Sequence, residues 1–170
     1  FRGGNHDYTI ETGGVRLFPR LVAAEHRTGF AHDPLGSGIP ELDALLGGGL
    51  ERGTSTLLLG PAGTGKSVLT LAFAVAAVRR GERALVCLFD EEIGLVLNRA
   101  RSFGMALEER IAAGSLVIEA VDAAEVSPGA FAHRIRAHVE AGVRSVVIDS
   151  LNGYHAAMPG EHHLELHMHE

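Results

Sequence analysis

The stretch LLLGPAGTGKSVLTLAF (residues 57–73) joins an apolar run, a glycine-rich loop, a lysine and a second apolar run. Within it, Gly60, Gly65, Lys66 and Ser67 match the pattern G-x-x-x-x-G-K-[ST], which lies after a predicted strand and before a predicted helix. Glycines let backbone N–H groups converge on phosphate oxygens, and the positive end of the following helix points at the same place. The stretch therefore predicts a loop that binds a nucleoside triphosphate, rather than a glycine turn that only caps a helix.

The predicted loop gives its polar side chains distinct tasks. We expect Lys66 to reach the β- and γ-phosphates of the nucleoside triphosphate and the Ser67 hydroxyl to ligate Mg²⁺. Lys66 is the only lysine among 15 basic residues, and a compact ammonium reaches between phosphates where a planar guanidinium would fit badly. The residues predicted to contact ATP are Gly60, Pro61, Ala62, Gly63, Thr64, Gly65, Lys66, Ser67 and Val68.

Composition restricts the classes of protein to which the chain can belong. Its 170 residues, 46% of them hydrophobic, suit one domain with a substantial core. The apolar run at residues 71–78 is far shorter than the roughly 20 residues of a membrane-spanning helix. A net charge of -6 argues against a surface built mainly to bind nucleic acid. The single cysteine, Cys87, cannot form an internal disulfide, so we interpret it as a small core residue in a reducing, cytoplasmic setting.

Apolar runs and helical patterns alternate along most of the chain. Strands are predicted at residues 54–59, 84–89, 116–120 and 145–148, and helices at residues 40–46, 66–80, 93–103 and 128–141. Apolar runs of this length between helices favour an α/β fold with a parallel sheet covered by helices on both faces. The first 30 residues differ, because they predict a hairpin around Gly13-Gly14 that should pack on a neighbouring domain or subunit.

Two acidic positions follow predicted strands. Asp149 ends the apolar run SVVID, where an aspartate can hold the water shell of Mg²⁺ in a phosphate-binding protein or simply cap a helix; we favour the first role. Asp90, Glu91 and Glu92 end the run LFDEE. One glutamate there would polarise the water that attacks the γ-phosphate, whereas the structural alternative is a solvated loop before a helix.

The chain resembles the RecA-type ATPases, and most closely the KaiC family. The residues that carry the resemblance are GSGIPELDALLGGGLERGTSTLLLGPAGTGKS (residues 36–67), LFDEE (residues 88–92) and VVIDS (residues 146–150). The resemblance covers residues 31–170, which we expect to be the N-terminal part of an ATPase domain after a hairpin and linker at residues 1–30. Residues 2–27 also resemble the segment that leads into an ATPase lobe in tandem-lobed members of the family.

The resemblance implies a RecA-like phosphate-binding-loop fold that hydrolyses ATP with Mg²⁺. It matches a pair of adjacent glutamates to Glu91 and Glu92, which would act in catalysis with Lys66, while Ser67 and Asp149 would serve the metal, Asp149 through water. It also implies a ring of six subunits with ATP at each interface, whose nucleotide state sets conformation and partner choice. Some members of the family phosphorylate their own Ser or Thr residues, and no acceptor is evident in these 170 residues.

Two other classes of protein share these motifs. A RecA- or RadA-like DNA recombinase, or a related helicase, has the same glycine-rich loop, strand-end aspartate and strand-end glutamates. The net charge of -6 makes DNA the less favoured partner. A scaffold that binds ATP without hydrolysing it is disfavoured by Glu91 and Glu92.

The chain begins with Phe1 and stops inside a patterned segment, so we interpret it as a piece of a longer protein. The resemblance implies that, in RecA-type sheets, the strand after the Asp149 strand inserts between that strand and the loop-bearing strand. Here the inserted strand would come from later residues. We therefore expect a strand-wide gap between residues 54–59 and 145–148. The piece alone should be poorly soluble and inactive.

Four of the ten histidines, His162, His163, His167 and His169, cluster near the end of the sequence. His163 and His167 would share one face of a helix, which is the spacing of a metal-binding pair. No further ligand completes the set, and a polar helix surface is the favoured interpretation.

Overall fold

A computed structural model of the protein describes residues 6–22, 29, 32–122 and 124–156. The elements in chain order are β1 (Asp7–Glu11), β2 (Gly14–Phe18), α1 (Pro40–Leu45), α2 (Lys66–Arg79), β3 (Arg83–Leu88), α3 (Ile93–Ser102), α4 (Leu107–Ala112), β4 (Leu116–Ala120), α5 (Pro128–Glu140), β5 (Val143–Asp149) and α6 (Leu151–Ala156). None of the helices in these described stretches has both the length and the apolar composition needed to cross a bilayer.

The central sheet is parallel and has three strands in the order β4-β3-β5. Leu88, at the end of β3, lies beside Ala120 of β4 and Asp149 of β5. All three strands therefore end at the same edge of the sheet, which is where an α/β fold places its ligands.

Helices cover both faces of the sheet because the side chains of β3 alternate between two apolar clusters. One cluster joins α2, α3 and α4 to the sheet; its buried members are Leu71, Ala74, Val75, Ala77, Ala84, Val86, Leu88, Val96, Ala100, Leu107 and Leu116. The other joins α5 and α6 to the opposite face; its buried members are Leu85, Cys87, Val121, Phe131, Val143 and Tyr154. The predicted α/β fold is confirmed.

Residues 54–59 form no strand, contrary to the prediction. The run has the apolar composition of a strand, yet Leu57 is 60% exposed and Leu59 is 83% exposed. A strand needs a partner for its N–H and C=O groups, and in the described part of the chain this segment belongs to neither sheet. Residues 54–59 are not paired with β5 among the described strands, and the expected strand-wide gap between the two segments stays a prediction.

The predicted hairpin is present and packs on α5. Its strands pair from Asp7 with Phe18 to Glu11 with Gly14. The Asp7 carboxylate accepts the N–H of Gly129, in the first turn of α5, at 2.6 Å. The Phe18 ring meets the His133 ring edge-on, with centroids 5.6 Å apart. The hairpin is thus attached to α5 through one side chain from each of its strands, both at the open end of the strand pair.

Two short helices were missed by the sequence analysis. Helix α4 carries Leu107 and Ile111 four residues apart and two acidic residues in its first turn, a pattern that could have revealed it. Helix α6 contains Gly153, which ordinarily weakens a helix, so its sequence gave little sign of it.

Candidate functional site

The loop between residues 60 and 65 has the backbone geometry that its glycines allow. Gly63 and Gly65 have φ angles of 81° and 87°, in the left-handed region that other residues rarely enter. Gly65 is the N-cap of α2 and makes no side-chain cap. The first N–H groups of the 14-residue helix α2 are therefore available to an anion, and the helix dipole favours negative charge at this end.

The Lys66 ammonium lies back across the loop. It donates to the carbonyl oxygens of Gly60 and Pro61, each at 2.8 Å, and the Thr64 hydroxyl donates to the Pro61 carbonyl at 2.9 Å. An ammonium has three donors, so one of them remains for a phosphate oxygen. These bonds hold the lysine side chain against its own loop.

A cleft of about 290 Å³ opens at this end of α2. Its lining residues are Gly63, Gly65, Lys66, Ser67, Val68, Glu91 and Arg99. The cleft brings together the glycine-rich loop and the segment after β3. Of the predicted site residues, Gly60, Pro61, Ala62 and Thr64 belong to the loop without lining the cleft, and neither Glu92 nor Asp149 lines it.

Glu91 is held in the cleft by an arginine that the sequence analysis did not identify. Arg99 donates from Nη1 to Glu91 Oε2 at 2.9 Å and from Nη2 to Glu91 Oε1, a bidentate pair. This bond is the main cause of a raised pKa for the Arg99 guanidinium, and the Asp149 carboxylate adds to it. Asp149 therefore acts electrostatically on the cleft although it does not line it. The sign available in the sequence was a basic residue on the helix after LFDEE.

The two glutamates predicted as a pair have different environments. Glu92 is exposed and is the N-cap of α3, with extended backbone and no side-chain cap bond. A carboxylate at a helix N-terminus interacts favourably with the helix dipole. The geometry thus places one glutamate, Glu91, in the cleft.

The segment after β3 is positioned by aromatic packing and by one backbone bond. The Phe89 ring meets Phe131 of α5 at 5.2 Å and Tyr154 of α6 at 5.4 Å between centroids, both edge-on. The Phe89 N–H donates to the Asp149 carbonyl at 2.9 Å. These contacts fix the end of β3 against the end of β5 and against α5 and α6.

Asp90 joins the same two strand ends. Its Oδ2 accepts the Ser150 hydroxyl at 2.8 Å, and the Ser150 Oγ accepts the Gly153 N–H at 3.1 Å. A Cβ on Gly153 would overlap the Asp90 carboxylate. A side chain at this position of α6 would therefore have to displace the Asp90 carboxylate.

Gly153→Ala is expected to destabilise the protein by about 1–3 kcal/mol, because the added methyl group displaces the Asp90 carboxylate. Gly94→Ala is the matched control, since a Cβ on this helical glycine of α3 meets nothing within 4 Å, and it should stabilise by about 0.5–1 kcal/mol. Denaturant unfolding of both variants measures the difference. Equal changes in the free energy of unfolding of the two variants would contradict the close approach of position 153 to the Asp90 carboxylate.

The remaining candidate residues give no second site among the residues that the structure describes. Burial raises the pKa of the Cys87 thiol to about 12, with a further contribution from Glu119, so this thiol is inert. Its place in the core is confirmed. No described group of three or more His, Cys, Asp and Glu side chains is arranged to hold a metal ion. His162, His163, His167 and His169 lie outside the described residues.

Comparison with known families identifies the family of most of the chain. A family model described as "ATPase: KaiC" matches residues 35–167. This chain belongs to the KaiC family. The expected RecA-like α/β fold and the resemblance to KaiC are thereby confirmed.

Several KaiC proteins are similar in sequence. The circadian clock oscillator protein KaiC of Prochlorococcus marinus (strain MIT 9313) is 35% identical over 115 residues, which are 68% of this chain and 23% of that protein. The circadian clock protein KaiC2 of Synechocystis sp. (strain ATCC 27184 / PCC 6803 / Kazusa) is 34% identical over 113 residues, 63% of this chain and 20% of that protein. The chain thus spans between a fifth and a quarter of the length of these relatives.

Proposed function

We propose that this KaiC-family chain binds ATP and, with Mg²⁺, hydrolyses it to ADP and phosphate. The observation that carries the proposal is the single cleft that the loop residues Lys66 and Ser67 line together with Glu91. Phosphate binding and activation of water need these two kinds of group within one small volume.

The phosphates are bound by the loop and the start of α2. Backbone N–H groups between Gly63 and Ser67 supply donors, and Lys66 supplies a positive charge fixed by Gly60 and Pro61. The helix dipole adds to this attraction. The loop itself carries no carboxylate that would repel the triphosphate.

The residues present suit Mg²⁺, which prefers hard oxygen ligands and keeps several of its waters. The Ser67 hydroxyl lies in the first turn of α2, where it would ligate the ion, and the Asp149 carboxylate ends β5, where it would hold a water of the ion. When bound, Mg²⁺ neutralises charge on the phosphate oxygens.

Glu91 is assigned as the group that accepts the proton of the attacking water. The water oxygen forms a bond to the γ-phosphorus, and the bond from the γ-phosphorus to the β,γ-bridging oxygen breaks. The electron pair of that bond leaves with ADP, and the proton passes to a Glu91 carboxylate oxygen. We place Glu92 outside this step, because it caps α3 instead of lining the cleft.

We infer that the intact protein is a hexameric ring whose choice of partner depends on the nucleotide that it binds. The names of the relatives refer to circadian clock proteins, and a nucleotide-dependent ring suits that kind of switch. The same cleft could transfer the γ-phosphate to a Ser or Thr hydroxyl of the intact protein. Membership of the KaiC family supports these inferences.

The full-length protein is expected to release phosphate from ATP only when Mg²⁺ is present, and to do so at the same rate with and without single-stranded DNA. Phosphate release measured with Mg²⁺, with EDTA and with DNA checks this, and light scattering of the same samples in ATP and in ADP reports ring formation. Strong stimulation by DNA would instead identify a recombinase-like activity. No turnover under any condition would contradict the hydrolysis.

A further inference from the structure

The cleft contains two cations among its described lining residues, and they are held differently. Lys66 donates to backbone carbonyl oxygens of its own loop. Arg99 donates both arms of its guanidinium to the two oxygens of Glu91. Arg99 thus binds the very carboxylate to which we assign the proton transfer.

A guanidinium fork fits a carboxylate and a phosphate with the same geometry. A terminal phosphate in the cleft and the Glu91 carboxylate therefore compete for the same donors of Arg99. The Arg99 side chain is 34% exposed and that of Glu91 is 23% exposed, so burial does not prevent the pair from separating. While the pair is intact, both Glu91 oxygens are occupied by donors of Arg99.

We propose that Arg99 senses the terminal phosphate: it exchanges the Glu91 carboxylate for the γ-phosphate of a nucleoside triphosphate, and the exchange releases Glu91 to act on water. The inference rests on the proposed function and adds the regulation of its site. A nucleoside diphosphate lacks the competing phosphate, so it leaves the Glu91–Arg99 pair intact. The same exchange therefore makes the site distinguish ATP from ADP.

The first test compares nucleotide affinities in the full-length protein, with Mg²⁺ and with the non-hydrolysable ATP analogue AMPPNP or ADP as the probe. Arg99→Gln is expected to weaken AMPPNP binding by roughly 10- to 100-fold, the usual effect of losing a charged hydrogen-bonding partner, and ADP binding by less than about threefold. Arg101→Gln is the matched control on the same helix, because Arg101 bonds to Asn98 and Glu108 outside the cleft. It should change neither affinity.

The second test is a double-mutant cycle between Glu91 and Arg99. Glu91→Gln alone is expected to tighten AMPPNP binding by about three- to tenfold, because it frees Arg99, and the gain should vanish in the Arg99→Gln background. Should Arg99→Gln not fold, Arg99→Lys keeps the charge without the fork and is expected to give an intermediate preference for AMPPNP over ADP.

Three outcomes overturn the inference. Equal weakening of AMPPNP and ADP binding by Arg99→Gln would show a structural role only. Additive effects in the cycle would show that Glu91 and the phosphate do not compete. An unchanged preference for AMPPNP in both Arg99 variants would remove the sensing role while leaving the proposed function in place, whereas a wild-type protein that binds neither nucleotide would remove the proposed function itself.

Discussion

Lys66→Arg is expected to reduce ATP turnover by at least about 100-fold, the size of effect seen when one positioned donor is lost from a site of charge development. The Lys66 ammonium makes two bonds of 2.8 Å to the Gly60 and Pro61 carbonyls. A guanidinium is larger and planar, so it cannot occupy that position and still reach a phosphate. Phosphate release and AMPPNP affinity, measured on the full-length protein, give the two effects separately.

Arg79→Lys is the matched control for this substitution. Arg79 is exposed in the last turn of the same helix, far from the loop, and the exchange of Lys and Arg there should leave turnover unchanged. Wild-type turnover in Lys66→Arg would contradict the role of this lysine in phosphate binding.

Glu91→Gln is expected to lower the rate of hydrolysis by about 100- to 10,000-fold, the usual contribution of a general base, while ATP still binds. Glutamine keeps the size of the side chain but cannot take the proton of the attacking water. Glu92→Gln is the matched control, because Glu92 is the exposed N-cap of α3, and its effect should stay within about threefold. Single-turnover hydrolysis reports the rate of the chemical step, and AMPPNP affinity, measured separately, reports binding.

The opposite result would reassign the base. A large loss in Glu92→Gln together with normal hydrolysis in Glu91→Gln would place the proton transfer on the second glutamate. A loss of ATP binding in Glu91→Gln would mean that this side chain supports the loop.

The sequence was enough to predict elements such as α2 and β4, whose signals lie in neighbouring residues. Helix α2 begins at Lys66 and ends within one residue of the prediction, because its glycine start and its arginine end are local signals. Strand β4 coincides with the predicted residues 116–120. The glycine-rich loop was found for the same reason, since its glycines and its lysine occur within a few positions.

Contacts between residues that are not neighbours in the sequence could not be predicted in this way. Arg99 lies in α3, eight residues beyond Glu91, and their bond depends on how the segment before α3 folds. Asp90 meets Ser150 only because β3 and β5 are neighbours in the sheet. The prediction for residues 54–59 failed for a related reason, because their composition suits a strand but strand formation depends on a partner.

The central position of β3 has a consequence for the order in which the chain can fold. Its two partners come later in the sequence: Ala84 pairs with Leu116 of β4, and Arg83 pairs with Val143 of β5, about 60 residues farther on. A ribosome that adds about 5–20 residues per second needs roughly 3–12 s to make that interval. During this time the helix α2 can form from local contacts, whereas the backbone of β3 waits for both neighbours. The edge where Asp90, Glu91 and Asp149 meet is therefore assembled last, when the end of β5 has emerged.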